Sequence, residues 1–104
     1  MAQFDVFVNP ISQARRAYPF VVVLQSDLAE TGRERIVAPL APKTRLTGTA
    51  GRLTPHVRVS EVDHVLLVPS MAAVTAGDLR EHRGQLLAHR EAIVAALDYL
   101  FLGV

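Results

Sequence analysis

Apolar positions in the first two thirds of the chain recur mostly at every second residue, and the pattern breaks into short pieces. Phe4, Val6 and Val8 alternate with Gln3, Asp5 and Phe7 and predict a first strand with two unlike faces. Asn9-Pro10 ends it, and Ile11 to Ala17, carrying Arg15-Arg16, reads as a polar loop. Tyr18 to Leu24 is nearly all apolar and valine-rich, which predicts a strand covered on both faces, with Pro19 confined to its start. Arg35 to Ala41 returns as a strand, and Pro39 inside it calls for an edge position or a bulge. Pro42 to Arg52, with Thr47-Gly-Thr-Ala-Gly51, reads as a long exposed loop. His56–Val59 and Val62–Val68, separated by Ser60-Glu61, form the strongest hairpin signal, and Met71 to Thr75 is a last short strand.

From Asp78 onward the period changes. At about 100° per residue, Leu86, Leu87, Ile93, Val94, Leu97, Leu100 and Phe101 share an arc about 140° wide, opposite Ala88, Ala92, Ala95, Ala96 and Tyr99. Asp78 as N-cap, with Glu81 three residues on, predicts one helix running from there to a terminator at Gly103. Gly84 within it costs about 1 kcal/mol relative to alanine. Arg90 falls in the middle of the arc, so its stem is expected on the sheet with the guanidinium paired. Tyr-Leu-Phe-Leu-Gly-Val stays apolar to the last residue, where a terminal helix ordinarily trails off in polar ones. Five or six short strands followed by one terminal helix predict a mainly β fold with one C-terminal α-helix. The helix would cover the open side of a twisted sheet or partly closed barrel.

A length of 104 residues, half of them hydrophobic and 20% charged, fits a single domain over 1–104 with one modest core. No apolar run approaches the roughly 20 residues that span a bilayer, and Met-Ala-Gln-Phe-Asp lacks the form of a signal peptide. The absence of cysteine excludes disulfides and thiolate metal sites and is compatible with a cytoplasmic protein. A net charge of +1 does not point to general nucleic-acid binding. Its distribution is uneven, however. Arg15, Arg16, Arg33, Arg35, Lys43, Arg45 and Arg52 lie in the first half against Asp5, Asp27, Glu30 and Glu34, so that half could face an acidic partner.

Motifs for catalysis are sparse. His56, His64, His82 and His89 have no zinc-site spacing, so no metal and no cofactor is expected. Gly48-Thr-Ala-Gly51 is followed by Thr-Pro and a strand instead of a helix, which makes it a surface loop and not a phosphate cradle. No serine sits in a nucleophile elbow. Arg52, Asp63 and His64 could contribute to a metal-free ribonuclease if the fold assembled them, although no spacing demands it.

Several segments, in this order and spacing, resemble the CcdB family of bacterial toxins. They are Gln3-Phe4 with Val6, Val23-Leu-Gln-Ser-Asp27, Arg35-Ile-Val-Ala-Pro-Leu-Ala41, His56-Val-Arg-Val59, Met71-Ala-Ala-Val74, His89-Arg-Glu91 and Phe101-Leu-Gly-Val104. The resemblance covers nearly the whole chain. It implies an SH3-like β-barrel, shared with Kid-like toxins, with a C-terminal helix. It also implies a homodimer whose helices lie near the dyad.

A toxin of this kind is not an enzyme. The resemblance implies that it binds the A subunit of DNA gyrase, traps the cleaved complex, and is neutralised by a CcdA-like antitoxin with a disordered segment. Operator DNA would be met only through that antitoxin. Carried over by position, the gyrase contact is Leu102, Gly103 and Val104, with Gln3, Phe4, Ser26 and Asp98 as neighbours. Leu102 stands where the family has tryptophan, and Asp98 where it has asparagine. Arg15, Arg16, Lys43 and Arg45 are the candidate antitoxin contacts. The alternatives are an mRNA endoribonuclease on the same barrel, or a family member that no longer poisons gyrase.

Overall fold

The computed structural model describes residues 1–45 and 51–104, with residue 45 described by its backbone alone. The loop expected around Thr47-Gly48 therefore lies largely outside the described residues. Among the described residues, seven strands form one antiparallel sheet: β1 (Asp5–Val8), β2 (Phe20–Val23), β3 (Glu34–Pro42), β4 (His56–Val59), β5 (Val62–Leu66), β6 (Ala72–Thr75) and β7 (His82–Gln85). They are followed by the one α-helix among the described residues, α1 (Arg90–Leu102). The spatial order is β4-β5-β3-β2-β1-β7, with β6 paired to β3 beside that path. The end strands β4 and β7 come into contact, so the sheet curls into a half-barrel. The mainly β architecture with one C-terminal helix is as the sequence predicts.

Alternation along β1, β2 and β3 sorts their residues into two layers. Phe4, Val6, Val22, Leu24, Ala38 and Leu40 face inward with Val57, Val59, Leu66, Val68 and Leu86, and α1 closes this layer with Ile93 and Ala96. Phe7, Val21, Val23, Val37 and Leu79 form a second, smaller layer on the other face, with Val74 against it. The valine-rich run is thus covered on both sides, as its composition implies. At the β4–β5 turn, Ser60 and Glu61 both have positive φ (51° and 66°), the two-residue geometry that matches strand twist.

Pro39 departs from expectation. It lies inside the longest strand, paired with Val21 of β2, and β3 is not an edge. The other side of β3 changes partner there, from β6 at Glu34–Val37 to β5 at Leu40–Pro42. The Pro39 carbonyl accepts from Leu67 N–H at 3.0 Å, so the missing proline N–H falls in the gap between two partners.

The helix prediction was too long by about three turns. Residues 76–78 and 87–89 are 3₁₀ turns, and between them His82–Gln85 pairs with β1 as a seventh strand. Asp78 ends a 3₁₀ turn and does not cap a helix. Gly84 shows why: its φ of 137° lies where side-chain-bearing residues rarely go, at an irregularity in the pairing with Val6 and Phe7. The stripe is also rotated. Ala96 is fully buried, while Phe101 and Leu87 are exposed. Arg90 begins the helix on its exposed side; its backbone N–H bonds the Leu87 carbonyl, and its guanidinium has no hydrogen bond or ion pair among the described residues.

Gly84→Ala therefore tests the two structures by sign. In a helix it would stabilise by about 1 kcal/mol. At a φ of 137° it should instead destabilise, by roughly 1–3 kcal/mol in a denaturant titration.

Candidate functional site

Gly103 decides how the chain leaves α1. Its left-handed conformation (φ 74°, ψ 17°) turns the backbone, and its N–H bonds the Tyr99 carbonyl at 3.0 Å. Beyond that cap, or just before it, Phe101, Leu102 and Val104 stand 67%, 71% and 75% exposed. Asp98 and Tyr99 lie on the exposed side of the same turn. This is an exposed apolar tip, the kind of surface that marks an interface. The Arg52 guanidinium lies over the Tyr99 ring, 4.0 Å from its centroid, and ties the start of the segment leading into β4 to the end of the helix.

A second cluster forms at the start of the chain. Gln3 N–H donates to Asp27 Oδ1 at 2.7 Å, and Gln3 Nε2 donates to the Leu24 carbonyl at 2.9 Å. Phe4 N–H bonds the Val23 carbonyl at 2.7 Å, and the Phe4 carbonyl receives Leu86 N–H at 2.9 Å. Ser26 Oγ accepts Leu28 N–H at 3.1 Å, closing a turn whose tip is Leu28. The structure thus fastens Gln3 and Phe4 to the stretch that carries Ser26. It gives Phe4 a different part from the others: the side chain is fully buried, with φ 70°, so it shapes the corner from beneath and offers no contact surface. No hydrogen bond or ion pair among the described residues joins this corner to Leu102, Gly103 or Val104.

A family model, that of the CcdB protein, matches residues 3–103. The chain belongs to the CcdB family. No curated protein matches it. The CcdB family is one of toxins from toxin–antitoxin pairs.

Within this CcdB-family fold the three ribonuclease candidates have separate partners. Arg52 lies on Tyr99, Asp63 pairs with Arg58 at 3.3 Å, and His64 is buried with Nδ1 2.9 Å from the Val62 carbonyl and its ring against Phe20. No hydrogen bond or ion pair among the described residues joins them to one another. The other histidines are also dispersed: His82 meets Asp5 at 3.2 Å, and His89 Nε2 accepts Arg58 N–H.

The basic half of the CcdB-family chain is likewise not one patch. Arg15 Nε donates to the Asn9 carbonyl and lines a cleft of about 290 Å³ with Asp78, Arg80 and Glu81. Arg16 is exposed. Lys43 lines a separate, open depression with Glu61, Val62 and Asp63. The Arg45 side chain lies outside the described residues. Division of charge by sequence half therefore mixes in space, because acidic residues of the second half return beside basic ones of the first.

Two exposed apolar residues escaped the sequence reading. Leu28 is 91% exposed beside Ser26, and its signal was an isolated leucine in an otherwise polar turn. Phe101 sits at the edge of the helical arc, where a small rotation of the stripe decides between core and surface.

Arg52→Ala should cost about 0.5–1 kcal/mol, the worth of an exposed cation–π contact. In a double-mutant cycle with Tyr99→Leu the two losses should be non-additive, and full additivity in urea titrations would mean the contact contributes nothing.

Proposed function

We propose that this chain is a gyrase-directed toxin, a protein–protein poison that traps the gyrase–DNA cleavage complex through its A subunit. The single observation that carries the reading is the apolar tip of Phe101, Leu102 and Val104, held out beyond a left-handed cap in a chain of the CcdB family. A wedge of this kind needs no active site. It acts by binding one state of another protein's cycle more tightly than the others.

In this reading Leu102, Gly103 and Val104 make the principal contact, Asp98 flanks it, and Gln3 and Ser26 form its second part. Phe4 supports that corner from inside, and Leu28 extends it. Leu102 offers less area than the family tryptophan, and the neighbouring Phe101 supplies exposed aromatic surface on the same turn. The toxin is proposed to act as a homodimer in the cytoplasm and to be neutralised by a CcdA-like antitoxin with an acidic disordered segment. Operator DNA is reached only through that antitoxin. Arg15 and Arg16 on one side, and Lys43 and Arg45 on the other, are its proposed electrostatic contacts.

Deleting residues 102–104 removes exposed groups and one cap bond, so it should cost about 1 kcal/mol or less of stability. The same deletion should abolish gyrase binding and toxicity while antitoxin binding persists. Leu102→Trp should strengthen gyrase binding, by roughly thirtyfold for an anchor worth about 2 kcal/mol. A folded, fully toxic truncation would remove this end from the mechanism. Purified protein that cleaves RNA would replace the gyrase reading altogether.

Charge reversal of Arg15 with Arg16, or of Lys43 with Arg45, should slow antitoxin association, most strongly at low salt. Stopped-flow on-rates unchanged in both pairs would place the antitoxin elsewhere.

A further inference from the structure

Arg52 stands beside the apolar tip, and a turn puts it there. Thr54 N–H bonds the Gly51 carbonyl at 3.3 Å, so Arg52 occupies the first corner of a tight turn. Just beyond it, the Pro55 carbonyl accepts Leu66 N–H at 3.0 Å, which fastens the segment to the end of β5. The guanidinium then lies 4.0 Å from the centroid of the Tyr99 ring. Tyr99 is itself tied to the helix end, since its carbonyl accepts the Gly103 N–H that caps α1. In a helix, residues at the spacing of Tyr99 and Leu102 are neighbours on one face. Guanidinium, phenol ring and Leu102 side chain therefore form one exposed row leading to the tip.

The ring offers the cation a π-face but no lone pair. Among the described residues the guanidinium makes no hydrogen bond or ion pair, with Asp98 on the same turn or with any other group. Its N–H donors are thus available to a partner, while its position is already set. An arginine held in this way loses less rotamer freedom on binding than one that swings free, and Arg and Tyr are among the residues that most often carry an interface. The group that suits a fixed guanidinium is a planar anion able to take two N–H bonds at once, a carboxylate. A phosphate would also accept from it. The row ends in Leu102 and Val104, however, and an apolar socket for them is built of protein and not of a nucleic-acid backbone.

We propose that Arg52, held on Tyr99, is a specificity residue of the target contact and binds one carboxylate of the gyrase A subunit beside the socket that takes Leu102 and Val104. This rests on the gyrase reading above and names a further residue of that surface and the target group it meets. Leu102 offers less area than a tryptophan, and a charge-assisted pair on the same row supplies a hold of another kind.

The test is binding to the isolated gyrase A subunit without DNA, measured by calorimetry at low and at high salt. Arg52→Ala, its fold confirmed by circular dichroism, should bind roughly tenfold more weakly, as for the loss of a hydrogen bond to a charged group. Arg52→Glu should lose more, because it sets like charges together. Binding of the unmodified chain should also weaken more steeply with salt than that of Arg52→Ala, a difference that a clamp on Tyr99 alone would not produce. Arg52→Lys keeps the charge without the planar fork, so it should recover the salt dependence and only part of the affinity. Arg83→Ala, which removes a cation paired with Glu81, should change neither. If deleting residues 102–104 abolishes binding while Arg52→Ala and Arg52→Glu bind like the unmodified chain, Arg52 takes no part and the gyrase reading stands. A loss in Arg52→Ala with an unchanged salt slope makes Arg52 a clamp only and overturns the carboxylate. A loss seen only when DNA is bound assigns the guanidinium to a phosphate and overturns it as well. An unmodified chain that does not bind the A subunit overturns both readings.

Discussion

The fold depends on β3 serving three partners. One side of this strand pairs with β2, and the other is divided between β6 and β5, with Pro39 at the division. A proline there costs no ladder bond, because neither neighbour reaches for its nitrogen. The split lets β5 and β4 bend toward β7 while β6 takes a separate course, so one sheet can both curl around α1 and leave a free edge. A residue with an N–H at position 39 would not forbid this arrangement, but nothing would enforce the handover.

Phe4 is the counterpart of that device at the other end. A buried aromatic residue at φ 70° costs on the order of 1–3 kcal/mol, and it persists where its surroundings over-determine it. Here the backbone is fastened to Val23 on one side and Leu86 on the other, while the ring fills the inner layer. The strained residue therefore aligns the incoming chain with β2 and with the end of β7. Gln3 and the Ser26 turn are placed as a result. The site's corner is built by core packing, and its tip by a glycine cap, which explains how two weakly connected parts can be held by one small molecule.

The strands were legible because their alternation is strict and their turns are chemically marked. Ser60-Glu61, Asn9-Pro10 and the valine run each announced themselves. The largest failure lies at residues 78–89, where Asp78, Glu81, Leu86 and Leu87 imitate a capped amphipathic start. A period cannot show that Gly84 has a positive φ, and a four-residue strand such as His-Arg-Gly-Gln has no apolar alternation to reveal it. Tertiary pairing with β1 overrode the local signal. At the site, Leu102 and Val104 were legible as apolar residues past a terminator. The roles of Phe4 and Phe101 were not, since each depends on which way one ring faces after packing. Arg90 misled for the same reason: its angle was measured from a helix that begins later than assumed.

The end of α1 also has an electrical character. Four carbonyls close a helix without intrahelical partners, and here the Gly103 bond occupies that of Tyr99. Among the described residues no backbone bond outside the helix reaches the Leu100, Phe101 or Leu102 carbonyl, no basic residue lies in the last turn, and Asp98 adds a carboxylate. Aligned peptide dipoles make this the negative pole of the helix, tempered by the Arg52 guanidinium over Tyr99. A surface that receives the apolar tip must therefore also accommodate a rim of acceptors. Donor groups around a greasy socket would suit it, and a socket lined with carboxylates would repel it.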